Sequence, residues 1–416
     1  MKIIFFLKKK INFIKSNYFF KKKLIPFLNC QRWIFSSTIE HETSRFFKIV
    51  GFNIKTNYPK LKKYSQPLIV QKEIGYLVIF KYASKLKNFY LLQLKFEPGN
   101  QNYLQLSPAI QATKSNYTRV HNGKKTKFLK YLKNKKLIKL NSYQREQGTR
   151  YLNKLNKNMV IELNKKIKVP YNYVWLTKED LIILAKINNF FNMDTLSIFS
   201  CFLKKQNEDY KINKDKVILN MYSKFKNKYY CKLKTISLFN MPGWNYNKTF
   251  ISDYKEKLFK IISLKINTDT REVKEWCQPI VSDYFRPLNI LFFKIENSVK
   301  FYLCNIIIEP GYKTPMFTCT LMKKNRTFSN SEKIMFDKRQ YVIKKKIIDV
   351  INSDEGGRFL NNQSKNTAYE IKEKKNMQNK NYIWISYNQM IDLIKQKKIS
   401  IELRNLFGII NLENLK

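Results

Sequence analysis

The sequence predicts an α+β chain made of two tandem copies of one domain, each a mixed or antiparallel sheet with flanking helices, and three features carry that expectation. The first is internal repetition. Phe89-Tyr-Leu-Leu-Gln-Leu-Lys-Phe-Glu-Pro-Gly99 returns as Phe301-Tyr-Leu-Cys-Asn-Ile-Ile-Ile-Glu-Pro-Gly311, an offset of 301 − 89 = 212. Gln66-Pro67 and Phe47-Lys48-Ile49 return at the same offset as Gln278-Pro279 and Phe259-Lys260-Ile261. Glu146 to Leu152 is answered by Asp354 to Leu360, and Trp175-Leu176-Thr177 by Trp384-Ile385-Ser386. The second feature is a series of apolar and aromatic runs bounded by turn residues, and the third a pair of helix-start signals.

Taken in order, the runs at 46 to 53, 68 to 80, 88 to 96 and 158 to 163 read as strands. A short helix is expected from Gln147, carrying Arg150. Thr177 with Asp180, and Ser386 with Gln389, have capping-box spacing ahead of apolar-periodic segments, so a helix should follow each. The glycine-free, lysine-rich stretch near 203 to 240 reads as the connection. The expected division is therefore a first copy at 1–203, a linker at 204–239 and a second copy at 240–416.

The formal charge of +50, from 80 Lys+Arg against 30 Asp+Glu, suits a polyanion partner such as RNA, and so does the aromatic content of 15%. A basic RNA- or ribosome-binding protein is thus one reading. The lysines are spread along the chain, however, and accompany abundant Asn, Ile, Phe and Tyr with only 10 Gly and 11 Pro. That is the bias of a coding sequence poor in G and C, and neither a nucleic-acid nor a membrane partner is expected. The cysteines, at 30, 201, 231, 277, 304 and 319, have no C-x-x-C pairing and no metal-ligand spacing with His41 or His121, so they read as reduced thiols of a cytoplasmic protein with no metal. No apolar run in the first 30 residues approaches the length of a membrane span.

One segment departs from the composition. Glu97-Pro-Gly-Asn100 is followed by Leu106-Ser-Pro-Ala-Ile-Gln-Ala-Thr-Lys-Ser-Asn-Tyr-Thr-Arg-Val-His121, rich in neutral hydrogen-bonding groups and poor in lysine. These two motifs resemble the signature of the NDP-hexose 2,3-dehydratase family, sugar-nucleotide enzymes of deoxysugar biosynthesis. The resemblance runs from about Ile25 to the last helix. It implies tandem Nudix-hydrolase-like domains, a homodimer, and an NDP-linked 4-keto-6-deoxyhexose, usually carried on thymidine diphosphate, that loses water across C2 and C3. A 3-ketoreductase is an expected partner. No cofactor is implied, and the chain has neither a G-x-G-x-x-G fingerprint nor the Nudix hydrolase box.

The resemblance also suggests roles. Tyr117, His121 and Glu146 are the candidate acid–base residues, although Glu146 has an alternative role as an anchor for Arg150. Gln111, Thr113, Ser115, Asn116 and Asn100 are candidates for fixing the sugar, and Arg119 and Arg150 for the diphosphate, since guanidinium matches phosphate bidentately. Trp33 and Trp175 are candidates to stack on the base, with a core role as the alternative because Trp244 and Trp384 repeat them. The second copy keeps Glu309-Pro-Gly311 but has Tyr312 in place of Asn100 and lacks the polar island, so it is expected to support the first copy without dehydrating a sugar. A sugar-nucleotide-binding paralogue without turnover is the remaining reading.

Overall fold

The computed structural model describes residues 2–58, 64–101, 104–120, 123–207, 215–323, 341–374 and 381–416. The first copy is centred on a sheet with strand order Ile138–Arg145, Leu155–Leu163, Gly75–Ala83, Asn88–Phe96 and Tyr173–Thr177. Leu104–Pro108 adds to Asn88–Phe96, and Ile110–Ala112 to Gly75–Ala83. The second copy repeats this order with Tyr341–Ser353, Gln363–Glu373, Leu288–Glu296, Val299–Ile307 and Tyr382–Ser386, and it has the same two short additions at Met316–Thr318 and Leu321–Lys323. In both sheets one central pair is parallel, Leu155–Leu163 with Gly75–Ala83 and Gln363–Glu373 with Leu288–Glu296, so the sheets are mixed.

The alternation of side chains explains how each sheet is buried on both faces. Along Asn88–Phe96, Tyr90, Leu92 and Leu94 point into a large central core, whereas Leu91 points the other way towards Val78, Phe80 and Met159. Tyr302, Cys304 and Ile306 enter the same central core from the second sheet. Between the two sheets lie helices Lys178–Leu184, Met193–Cys201, Tyr387–Lys395 and Ile401–Ile410. Both expected capping boxes are formed. Asp180 N–H donates to Thr177 Oγ1 at 3.2 Å while Thr177 N–H donates to the Asp180 carboxylate at 2.9 Å. Ser386 and Gln389 exchange the same pair of bonds.

Two smaller sheets tie the copies together by exchanging strands. Phe20–Ile25, from the first copy, pairs antiparallel with Phe259–Thr268 of the second, with Phe20 opposite Thr268. Cys231–Ile236 pairs in turn with Lys48–Thr56 of the first copy. The stretch 204–239, expected as a linker, therefore contains folded parts of the second copy: helix Asp215–Lys228 and strand Cys231–Ile236, the counterparts of Lys2–Asn17 and Phe20–Ile25. Its apolar face consists of Ile218, Tyr222 and Phe225, all buried, and the surrounding lysines obscure it in the sequence. Two further expectations are corrected. The run 68 to 80 is split between Tyr64–Val70 and Gly75–Ala83, which belong to different sheets. The helix expected from Gln147 is a single turn, closed by the Tyr151 N–H to Gln147 O bond at 2.8 Å and followed by strand Tyr151–Leu152.

One backbone contact between the copies is reciprocal. Gly99 N–H donates to Gly356 O and Gly311 N–H to Gly148 O, both at 2.7 Å, so each Glu-Pro-Gly turn is seated on the glycine turn of the other copy. A Cβ on Gly99 would lie 1.7 Å from Phe359 O, and one on Gly311 1.8 Å from Tyr151 O. Neither backbone carbonyl can move aside without breaking the seat. Gly99→Ala or Gly311→Ala should therefore lower unfolding free energy by about 3 kcal/mol or more, read as a shifted midpoint in urea denaturation.

Candidate active site

A cavity of about 350 Å³ opens beside these turns and is lined by both copies. One part is aromatic, with Trp33, His41, Phe46 and Phe47 from the first copy and Trp276 from the second. The other part is ionisable: Glu97, Glu146, Asp194, Lys95 and Lys154 from the first copy meet Glu355 from the second.

Local structure positions each group. Gln111 lies on the short strand Ile110–Ala112, opposite Leu77. Its amide nitrogen donates to Glu97 Oε1 at 3.2 Å, and its amide oxygen accepts from Asn192 Nδ2 at 3.1 Å. Asn192 also caps helix Met193–Cys201 by accepting from Thr195 N–H at 3.0 Å, which places Asp194 in the first turn. Lys95 Nζ stands 3.3 Å from Glu97 Oε1. Glu146 Oε1 accepts from Asn156 Nδ2 at 2.7 Å, and Lys154 Nζ donates to Glu73 O.

Burial and crowding of like charges set the protonation states. Asp194 has a buried carboxyl oxygen without a hydrogen-bond partner. Burial, followed by the nearby Glu146, Glu355 and Glu97, holds its pKa well above the ordinary carboxylate range. Burial also raises Glu146, against the pull of Arg404, Asn156 and Lys154. Glu355 is pushed up to about 7 by burial and then by Glu97. Burial lowers Lys154 to about 8. Asp194, Glu146 and Glu355 thus hold their protons more tightly than carboxyls in water, beside an ammonium that gives up its proton more readily, a set of groups suited to acid–base chemistry at a carbon next to a carbonyl.

Of the residues singled out in the sequence, Trp33, Gln111, Thr113, Asn116 and Glu146 line the cavity. Ser115 lies just behind, with its hydroxyl 2.9 Å from Thr113 Oγ1 and 3.1 Å from Glu73 Oε2. Tyr117 packs on Tyr76 with ring centroids 5.0 Å apart, one residue beyond Asn116. Burial, then Tyr76 and Glu73, raises its pKa. Asn100 is fully buried beneath the Gly356 turn, where its side chain fixes the seat between copies. Arg119 is exposed and donates to Gly123 O. Trp175 packs in the core cluster on the far face of its sheet. Arg150 is buried away from the cavity, 2.6 Å from Asp283 Oδ1 and over the Phe259 ring, so Glu146 is not its anchor. His121 falls outside the described residues.

Several lining groups escaped the sequence reading. Lys95 ends the repeated strand next to the Glu-Pro-Gly turn, and Lys154 follows the single turn after Glu146. In a chain so rich in lysine neither is conspicuous. Asp194, two residues after the capping Asn192, carries no local signal of its own in the sequence. Glu355 and Arg358 were noted as scaffold of the second copy, and nothing local places them in the first copy's cavity. His41 packs edge-on against Trp33 at 5.4 Å, its imidazole pKa lowered by burial and by Arg32.

Two copies of one mixed-sheet domain thus enclose a cavity of neutral amides, hydroxyls and perturbed carboxyls, an arrangement suited to acid–base chemistry on a polar substrate. The chain belongs to the NDP-hexose 2,3-dehydratase family, whose pattern it matches at residues 7–202 and again at 215–410. It is 27% identical over 422 residues to a dTDP-4-dehydro-6-deoxy-alpha-D-glucopyranose 2,3-dehydratase of Saccharopolyspora spinosa, covering 93% of this chain and 87% of the relative. It is 26% identical over 411 residues to the enzyme of the same name from Amycolatopsis orientalis, with 94% and 87% covered. A third relative of that name, from Streptomyces violaceoruber, is 26% identical over 377 residues, with 85% and 84% covered.

The raised pKa of Glu355 has a consequence for stability. The unfolded chain releases this proton near the ordinary value of 4.5, whereas the folded chain holds it to about 7. The contribution is complete below pH 4.5 and is lost as pH rises to about 7. Glu355→Gln, neutral throughout, should therefore melt higher relative to the parent chain at pH 8 than at pH 5, as measured by calorimetry in matched buffers.

Proposed function

We propose that this chain removes water across C2 and C3 of an NDP-4-keto-6-deoxyhexose, carried on thymidine diphosphate, to give a 3,4-diketo-2,6-dideoxy sugar. The observation that carries this reading is the match of both copies to one dehydratase family, together with carboxyls of raised pKa around one cavity. The C4 ketone acidifies the C3 hydrogen. A carboxylate takes that proton, and the electron pair moves towards O4 as an enolate, which the ammonium groups of Lys95 and Lys154 are suited to stabilise. The enolate collapses with loss of the C2 oxygen, which receives a proton from a neutral carboxyl and leaves as water. The product enol then tautomerises to the diketone. Electrons and protons balance within the substrate, and no redox partner enters.

Glu146 is the assigned base: burial raises its pKa, which strengthens it as a base, while Arg404, Asn156 and Lys154 support its ionised form. Tyr117, beside Asn116, is assigned to proton relay, a role it shares with His121 in the family signature. Thr113 and Asn116 address sugar hydroxyls. Gln111, with both ends of its amide engaged, orients Glu97. The paired polar groups make the site selective for the hydroxyl pattern.

The finer attributes rest on the family resemblance. Each copy is assigned a Nudix-hydrolase-like fold, the chain a homodimeric state in the cytoplasm, and the reactive diketone a 3-ketoreductase that consumes it. No helix among the described residues is long and apolar enough to cross a membrane.

Incubation with TDP-4-keto-6-deoxyglucose should give a product lighter by one water in mass spectrometry. Absence of that product with demonstrably intact substrate would remove the enzymatic reading. Glu146→Gln should lower kcat by about 10²–10⁴ with its fold retained. Near-parental turnover would take Glu146 out of the reaction.

A further inference from the structure

The pseudo-symmetry of the two copies makes each arginine of the glycine turns comparable with the other. Arg358 Nη1 donates to Gly357 O at 2.8 Å, and its guanidinium stacks 4.1 Å from the centroid of Phe47. Arg150 does the same in the other half: Nη1 donates to Thr149 O at 3.1 Å, and the guanidinium stacks 4.3 Å from Phe259. Gln278 and Gln66 brace the two turns alike, donating to Gly357 O and Thr149 O. Trp33 packs on Phe47 at 4.9 Å as Trp244 packs on Phe259 at 5.1 Å.

The match fails at one side chain. Arg150 is neutralised by Asp283 at 2.6 Å. At the offset of 212 that relates Gln66-Pro67 to Gln278-Pro279, the position of Asp283 is held in the other half by Gln71 (283 − 212 = 71). Gln71 is buried, lines the cavity, and leaves its amide nitrogen without a hydrogen-bond partner. Arg358 forms no ion pair among the described residues. Glu355, the carboxyl beside it in the turn, accepts instead from Gly357 N–H at 2.9 Å.

We infer that Arg358, donated by the second copy, together with Gln71, binds the diphosphate of the sugar nucleotide, and that Asp283 occupies the equivalent Arg150 so that it cannot. This rests on the proposed reading of the cavity as a sugar-nucleotide site. A guanidinium fork and an unpaired amide N–H lining one cavity offer donors, the complement of a phosphate oxygen cluster. The placement fits the order of groups in the ligand. Arg358 touches Phe47 in the aromatic part of the cavity and adjoins Glu355 in the ionisable part, as a diphosphate joins a base to a sugar. The diphosphate role that the sequence suggested for Arg150 passes to its counterpart.

The test is to transplant the pairing. Gln71→Asp should recreate beside Arg358 the ion pair that Arg150 makes with Asp283, a pairing this fold already accommodates. Binding of thymidine diphosphate to the full-length protein is measured by calorimetry for the parent chain, Gln71→Asp and Arg358→Lys, with thermal melts alongside. Both variants should weaken thymidine diphosphate about tenfold or more and raise KM further than they lower kcat. Arg358→Lys keeps the charge but loses the fork, and it gives the answer should Gln71→Asp fail to fold. Parental affinity in either folded variant, or no binding by the parent chain, overturns the inference. Dehydration with unaltered thymidine diphosphate affinity in the variants would remove Arg358 and leave the enzyme. Loss of binding in the variants with no dehydration by the parent would do the reverse.

Discussion

The seat of each Glu-Pro-Gly turn on the glycine turn of the other copy is the contact on which the rest of the molecule depends. Backbone meets backbone at 2.7 Å through Gly99 and Gly356, and again through Gly311 and Gly148. No side chain fits at Gly99 or Gly311, so the distance between copies is set by the main chain itself. The geometry of the cavity inherits that distance. Glu97 leads into one turn, Glu355 lies within the other, and the seat brings the two carboxyls into one cavity. Asn100, buried against Gly356, holds the junction from inside.

On this symmetric frame the two halves differ through a few side chains. Asn100 becomes Tyr312, which fills space beside Gly148 and donates its hydroxyl to Lys154 O at 2.6 Å. The second copy's residue thus braces the main chain of a lysine in the first copy's cavity. Gln71 becomes Asp283, and Glu355 answers to Gln147 across the repeat. Duplication supplied two equivalent positions, and divergence left one with unpaired donors and perturbed carboxyls and the other with a closed ion pair. The second copy is a structural partner that also contributes residues to the first copy's site.

What the sequence disclosed follows the range of the interactions concerned. Strand Asn88–Phe96 and both capping boxes are local: alternation of apolar residues and a three-residue spacing contain the whole signal. The strand exchange is not local, because nothing within Phe20–Ile25 names Phe259–Thr268 as its partner. The site divides in the same way. Gln111, Thr113 and Asn116 stood out in a lysine-poor segment and Glu146 in a repeated motif, and all four line the cavity. Arg150 stood out equally well but is taken up by Asp283, a residue distant in the chain. Glu355 and Arg358 were visible as a repeat of the first copy's motif, and only the reciprocal docking turns them towards the other copy.

The exchanged strands also bear on how the chain is made. Synthesised from its N-terminus, Phe20–Ile25 emerges long before Phe259–Thr268, and at ordinary translation rates it waits on the order of ten to fifty seconds for its partner. Lys48–Thr56 likewise presents an open edge until Cys231–Ile236 arrives. An unpaired strand in a crowded cell invites pairing with neighbouring chains. The exchanged strands read Phe-Lys-Lys-Lys-Leu-Ile and Cys-Lys-Leu-Lys-Thr-Ile. The three lysines of Phe20–Ile25, which looked like compositional drift, are placed where charge keeps a late-closing edge soluble during synthesis.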